Sequence, residues 1–224
     1  MTAGYEPAEA NPMMRVSTST GCWYRLASIL ALGVAAWSLT GCDDEDSACV
    51  VSAVHPFYTP QDLDSDGAIV GAWKYQDEVT FVFTPGDNNI LNVTVEEEVE
   101  PEKRFTSRFE GHLFRLGPDS FLDLYPASVP EGSEFYLLHF FRCHTVAKVD
   151  LSAGRLEMRF VSPAWLASQI KEGAVTIAHA KSDEILLLTA TTEEMQELLY
   201  LNASDENAFG EAVVFERTGE EEEQ

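Results

Sequence analysis

Basic residues are scarce in this sequence. Only 14 lysines and arginines stand against 38 aspartates and glutamates in 224 residues, which gives a formal net charge of −24 at pH 7. A surface of that charge repels phosphate backbones and anionic lipid headgroups, so the composition argues against nucleic-acid binding and against electrostatic docking on a membrane. The hydrophobic content of 45% is nevertheless sufficient for a packed core.

Recognisable catalytic motifs are also missing. The sequence contains no G-x-S-x-G nucleophile elbow, no phosphate-binding loop, no dinucleotide-binding G-x-G-x-x-G and no H-E-x-x-H metal motif. We therefore expect a protein that is not an enzyme and that carries no cofactor and no resident metal ion.

One apolar run stands out, at residues 26–39, with Arg15 and Arg25 before it. A positive segment, a short apolar run and then small residues are typical of a secretory signal. The run is shorter than the roughly 20 apolar residues that a transmembrane helix needs. An ordinary cleaved signal peptide and an uncleaved anchor are the alternatives, and the acidic residues 43–46 argue against the anchor.

The run ends in Leu39-Thr40-Gly41-Cys42, which resembles the lipobox of bacterial lipoproteins. The resemblance implies cleavage before Cys42, lipidation of its thiol, and a protein that is exported from the cytoplasm and held in the cell envelope by a lipid anchor. It does not indicate which membrane or leaflet carries the anchor.

The rest of the chain reads as short strands between turns. Val79, Phe81 and Phe83 alternate on one face, residues 85–89 form a turn, and residues 91–95 repeat the alternation, which predicts a hairpin. Further strands are predicted at 104–116, 119–125, 134–150, 154–161, 174–180, 184–190 and 211–217. We divide the chain into a signal peptide at 1–41, an acidic tether at 42–68, a β-barrel domain at 69–218 and an acidic tail at 219–224.

Two short helices interrupt the strands. Ser162 followed by Pro163 is a favourable helix start, because serine caps the first turn and proline fits the first helical position. Thr191 and Glu194 have the spacing of a capping box. Many strands with close turns and two helices predict a mainly β fold, an antiparallel barrel or sandwich.

Gly71-Ala72-Trp73 on the first strong strand, with Arg217 on the last, resembles the lipocalin arrangement, in which an arginine packs over a tryptophan at the barrel floor. Further stretches resemble uncharacterised bacterial envelope proteins of lipocalin-like build, namely 121–126, 144–149, 163–166 and 191–199. The resemblance implies an antiparallel barrel that is closed by pairing of its first and last strands. It also predicts a dry plug of Trp73 and Arg217 at one end, with any ligand opening at the other.

Several residues suggest a metal site, but their spacing argues against one. Asp62, Asp64, Asp66 and Gly67 match the start of an EF-hand calcium loop, yet Trp73 occupies the position where that loop needs a bidentate glutamate. His139, Cys143 and His144 are metal-ligand types, but along a strand His139 and Cys143 would lie about 13 Å apart at about 3.3 Å per residue.

Cys49 and Cys143 are the other cysteines that remain after cleavage at Cys42. An oxidising envelope would allow a disulfide between them, and a buried free thiol at Cys143 is the alternative.

Asp123, Tyr125 and His144 are the candidate ligand-binding residues. For Asp123, an ion pair with Arg115 or Arg142 is the structural alternative. Two functions remain open: a barrel that binds a small apolar or amphipathic ligand, and a non-enzymatic interaction or envelope-assembly protein whose barrel is filled by its own side chains.

Overall fold

The computed structural model describes residues 50–65, 67–76, 78–100, 103–129, 137, 140–182 and 185–218. Eight strands among these residues form a closed antiparallel barrel, which confirms the predicted fold class. In the order of their neighbours around the barrel they are β11 (Val213–Arg217), β2 (Gly71–Tyr75), β3 (Val79–Pro85), β4 (Leu91–Glu100), β5 (Lys103–Leu116), β6 (Asp119–Pro126), β7 (Thr145–Ser152) and β8 (Arg155–Phe160).

The predicted alternation decides which side chains fill the barrel. Phe81 lies opposite Trp73 on β2 and opposite Val95 on β4, so all three face inward. Farther round the barrel, Gly111 is opposite Leu124, and a Cβ at Gly111 would meet the side chain of Val93 at 2.7 Å. The interior of an eight-stranded barrel is just wide enough to be filled by its own side chains or to hold one small ligand. At the level of these residues the interior is packed.

A second layer covers the outer face of β5, β6 and β7. It contains helices α1 (Pro163–Glu172) and α2 (Thr192–Asn202), and a three-stranded sheet of β1 (Val50–Ala53), β10 (Ile185–Leu188) and β9 (His179–Lys181). The barrel contributes three buried side chains to the apolar core between the layers, Phe114, Phe121 and Val146, and the second layer contributes Leu166, Leu186, Leu188, Met195 and Leu199. Neither helix in the described part of the chain is long and apolar enough to cross a membrane.

Both helix starts form as the sequence predicts. The Ser162 hydroxyl accepts a hydrogen bond from the Trp165 amide, with Pro163 in the first turn. At α2 the Thr191 hydroxyl accepts from the Glu194 amide, and the Glu194 carboxylate accepts from the Thr191 amide. These reciprocal bonds satisfy amides that a helix leaves unpaired at its first turn.

The predicted tether is wrong for residues 50–65, which we call the strap. Val51, Ala53 and Phe57 are buried, β1 pairs in parallel with β10, and Ala53 forms a two-way backbone bridge with His144. The prolines and acids of 42–68 are typical of a tether, but apolar residues between them are buried in the folded protein. The predicted strands at 174–180 and 184–190 correspond to β9 and β10, which form a sheet with the strap and not with the barrel. Residues 130–136, 138 and 139, which include the start of the predicted strand at 134–150, lie outside the described residues.

Candidate functional site

Trp73 and Arg217 meet at the end of the barrel where β2 begins and β11 ends, which we call the lower end. Arg217 lies opposite Trp73 in the pairing of these strands, with its guanidinium 4.3 Å from the centroid of the indole ring. Trp73 is buried and donates a hydrogen bond of 2.7 Å to the Ile69 carbonyl. Arg217 donates to the carbonyls of Val70 and Ala68. Because Arg217 is exposed, the predicted dry plug is wrong: the cation covers the indole from the solvent side.

The opposite end of the barrel exposes more aromatic surface. Five inward-facing residues toward this end are only half-buried, whereas Phe83, Leu122 and Leu156 deeper in the barrel are fully buried. We call these five residues the upper mouth: Tyr75, Phe109, Thr145, Phe160 and Val213. Tyr75 contacts Phe215 below it at 5.9 Å between ring centroids, so the aromatic surface continues from the mouth into the packed interior.

A second candidate lies on the outer wall, beneath the strap. A two-residue turn, Gly117 and Pro118, joins β5 to β6, and Gly117 takes the positive φ that favours glycine. The turn places His112 of β5 directly opposite Asp123 of β6. Both side chains face away from the interior, since their neighbours Leu113 and Leu122 face inward.

Asp123 is the centre of this outer-wall cluster. Its side chain is 0% exposed. One carboxylate oxygen accepts a hydrogen bond of 3.0 Å from the Phe57 amide, and the other lies 2.8 Å from Nδ1 of His144. A carboxylate can only accept, so Nδ1 of His144 carries the proton. The pairing with His144 replaces the predicted ion pair with an arginine, because Arg115 pairs with Asp64 and Arg142 contacts Tyr125.

Tyr125 and His144, the other two candidate ligand-binding residues, lie against each other. Their rings stack at 4.4 Å between centroids, and the Arg142 guanidinium lies 4.6 Å from the centroid of Tyr125. Arg142 also donates to the Pro126 carbonyl at 3.0 Å. The three sequence candidates are therefore neighbours, but on the outer wall rather than inside the barrel.

His112 and Tyr58 complete the cluster, and sequence reasoning missed both. Their rings stack at 4.2 Å with an angle of 18° between them. Burial lowers the pKa of His112, against the opposing influence of Asp123 and Glu110. Burial, together with the charges of Asp123 and Glu110, raises the pKa of Tyr58 to about 12. The short turn at 117–118 could have revealed His112, since it fixes the 112–123 pairing.

The geometry of the cluster limits its chemistry. A histidine oriented by a buried carboxylate is the arrangement of a general base. Within the described residues, no serine, threonine or cysteine side chain is hydrogen-bonded to His144 to act as its nucleophile. What the cluster does in the folded protein is fix the strap, through the bond from the Phe57 amide to Asp123.

The acidic residues of the calcium-loop motif have protein partners. Asp62 accepts hydrogen bonds from Thr59 and from the Gln196 side chain, and Asp64 pairs with Arg115. Burial alone would raise the pKa of Asp62, but its hydrogen bonds hold that pKa below the usual value. Asp66 and His139 lie outside the described residues, and among those that are described no group of three or more candidate ligands could hold a metal ion.

Cys143 is a half-buried free thiol, and burial raises its pKa. The predicted disulfide is therefore absent at Cys143 in the structure. Cys42 and Cys49 both lie outside the described residues.

A cavity of about 300 Å³ lies between the outer face of β7 and β8 and residues 203–209. Its bases are already neutralised: Lys148 pairs with Asp119 at 2.7 Å and Arg159 pairs with Glu157 at 2.7 Å. Six charged residues line this cavity and make it a poor site for an apolar ligand: Lys148, Asp150, Glu157, Arg159, Asp205 and Glu206.

Comparison with known proteins adds no family to these observations. No protein-family model matches the chain, and no curated protein or solved structure gives a significant match. Function must therefore be inferred from the barrel, its upper mouth and the outer-wall cluster.

Proposed function

We propose that this protein is a lipid-anchored component of the bacterial cell envelope whose upper mouth binds a small apolar or amphipathic ligand. One observation carries the ligand site: the inward-facing aromatic side chains are half-buried at the upper mouth, whereas those below them are fully buried. When an apolar ligand covers partly exposed aromatic surface at the end of a barrel, the burial of that surface lowers the free energy and favours binding.

The depth of the site follows from the packing below it. Trp73, Phe81 and Phe83 occupy the lower part of the barrel, and Arg217 covers the floor. A ligand therefore sits in a shallow position against Tyr75, Phe109 and Phe160. A polar end of the ligand stays in water at the rim.

The envelope location is supported by the sequence alone. The apolar run at 26–39 and the lipobox-like Leu39-Thr40-Gly41-Cys42 precede the acidic residues 43–46. Lipidation at Cys42 would hold the barrel close to a bilayer, which is a source of apolar and amphipathic molecules.

Binding of N-phenyl-1-naphthylamine tests the ligand site. This probe is apolar and neutral, which matters because a net charge of −24 disfavours an anionic probe. Protein produced from Asp43 onward should bind it saturably, with enhanced fluorescence. Phe160→Ala should weaken binding roughly tenfold, the effect of removing one apolar contact of about 1.5 kcal/mol.

Tyr200→Ala is the matched control, because Tyr200 is an exposed aromatic residue on α2, outside the barrel. It should bind the probe as the wild type does. Circular dichroism of both variants verifies that they are folded. Saturable binding that is unchanged by Phe160→Ala would place the probe elsewhere, and no saturable binding would contradict the proposal.

Interaction with another protein is the second candidate function. The filled lower barrel favours it, as do exposed large apolar side chains, among them Phe140, Phe141, Tyr200 and Leu201. In this case the protein would purify without a bound small molecule, and charged substitutions at Phe141 or Leu201 would reduce co-purification of the partner without affecting probe binding.

A further inference from the structure

The strap is attached to the barrel wall at both of its ends. At one end β1 pairs with β10, and Ala53 bridges to His144. At the other end, the Leu63 backbone bridges to Phe114 and Asp64 pairs with Arg115. Between these attachments, Phe57 and Tyr58 cover the buried polar cluster.

His112 lies directly under this middle section. Only 5% of its surface is exposed, and its Nδ1 is buried without a hydrogen-bond partner. Tyr58 stacks on the imidazole ring from the strap side. An imidazole in this position has little access to water, which could otherwise stabilise a positive charge.

We propose that the strap is an acid-sensitive latch: protonation of His112 releases its middle section, residues 54–62, from the barrel wall. Lifting Tyr58 off the imidazole lets water reach His112, so the open strap accepts a proton more readily than the closed one. By linkage, a proton that binds the open form more tightly shifts the population toward that form.

Each charged group that faces His112 has a definite effect. Glu110 on β5 and Asp123 on β6 favour the protonated ring, and His144 opposes it. Burial acts against protonation and outweighs the two carboxylates, so the pKa of His112 lies below its ordinary value. Tyr58, with a pKa of about 12, stays neutral through the acid range and contributes no compensating charge.

His144 does not provide the same switch. Its Nδ1 is already hydrogen-bonded to Asp123 at 2.8 Å, so this ring, unlike that of His112, has a buried polar partner while the strap is closed. The test therefore changes His112 alone.

Hydrogen–deuterium exchange on the full chain in detergent tests the latch. Strap amides are compared at pH 7.5 and pH 5.5, with exposure times corrected for the intrinsic exchange rate at each pH. We expect their protection to fall several-fold at pH 5.5, while amides of β2, β3 and β4 stay protected. His112→Gln, which cannot be protonated, should give the same strap protection at both values.

His55→Gln is the matched control, because His55 is an exposed histidine on the same strap. It should keep the pH dependence of the wild type. Strap protection that does not change with pH in the wild type would overturn the proposal, and so would an unchanged pH dependence in His112→Gln.

A second measurement covers the case in which His112→Gln does not fold. NMR titration of the wild type should show the Tyr58 ring signals shifting together with the titration of His112. A His112 titration with static Tyr58 signals would overturn the latch. The proposal concerns the strap alone and is independent of a ligand at the upper mouth.

Discussion

The guanidinium of Arg217 lies 4.3 Å from the centroid of the Trp73 indole, on the two strands that complete the barrel. Arg217 also donates hydrogen bonds to the carbonyls of Val70 and Ala68, just before β2 begins. The Arg217 side chain thus connects the last strand of the barrel to the residues just before the first. Without it, these two carbonyls would lack their hydrogen bonds from Arg217.

Arg217→Ala should lower the free energy of unfolding by about 1–2 kcal/mol, since it removes an exposed cation–π contact and two hydrogen bonds. Urea denaturation measures this. Arg104→Ala is the control, because Arg104 forms an exposed ion pair with Glu98 that should contribute less than about 1 kcal/mol. If the two substitutions lowered the free energy of unfolding equally, the contacts of Arg217 with Trp73 and the strand-end carbonyls would contribute no more than an exposed ion pair.

The sequence predicts local structure well where the pattern is self-contained. The alternation of Val79, Phe81 and Phe83 with the turn at 85–89 defines a hairpin without further information. The capping box of Thr191 and Glu194 likewise needs only residues within one turn. Both form in the structure.

The parts that could not be predicted depend on contacts between distant residues. Alternation places Asp123 and Tyr125 on one face of a strand, but it does not say whether that face lies inside the barrel. The strap decides the matter: Phe57 covers Asp123 from the outside across a separation of 66 residues. The strap itself is not predicted from the sequence, because its prolines and acids resemble those of a tether.

Asp123→Ala should destabilise the protein by about 2–4 kcal/mol. The substitution leaves the buried Phe57 amide without an acceptor and removes the partner of His144. Chemical denaturation against Asp150→Ala measures the difference, because Asp150 is exposed and its loss should change stability by less than about 0.5 kcal/mol. A similar small change for both would mean that the outer-wall cluster does not hold the strap.

Stability should also fall as the pH drops from 7 toward 5. Because burial lowers the pKa of His112 in the folded protein, the unfolded chain takes up a proton at the higher pH. The stabilisation from neutral His112 is therefore present above about pH 6.5 and is lost progressively below it. Asp62, whose folded pKa is also lowered, adds stability above about pH 4 that is lost as the pH falls through its folded pKa.

Urea midpoints at pH 7.5, 6, 5, 4, 3 and 2 separate the contributions of His112 and Asp62. In His112→Gln, the midpoint should stay constant between pH 7.5 and 5 and still fall below pH 4. In Asp62→Asn, the midpoint should fall between pH 7.5 and 5 as in the wild type, and its further fall below pH 4 should be smaller. If His112→Gln kept the full slope above pH 5, another group would be responsible.

Cys42→Ala should abolish lipid attachment and leave an unprocessed precursor. Metabolic labelling with an alkyne fatty acid, followed by Triton X-114 partitioning, detects both effects. Cys49→Ala is the control and should be labelled and enter the detergent phase as the wild type does. Labelled, processed Cys42→Ala protein would rule out lipidation at this cysteine.

Native mass spectrometry of the protein purified from its own membranes tests the proposed ligand site most directly. Detergent is stripped at low collision energy, so that the mass of the lipidated chain and of any bound molecule can be read separately. We expect an added small-molecule mass that dissociates at higher energy and is reduced in Phe160→Ala but not in Tyr200→Ala. Wild-type protein that carries only its lipid anchor at every collision energy would contradict a ligand at the upper mouth.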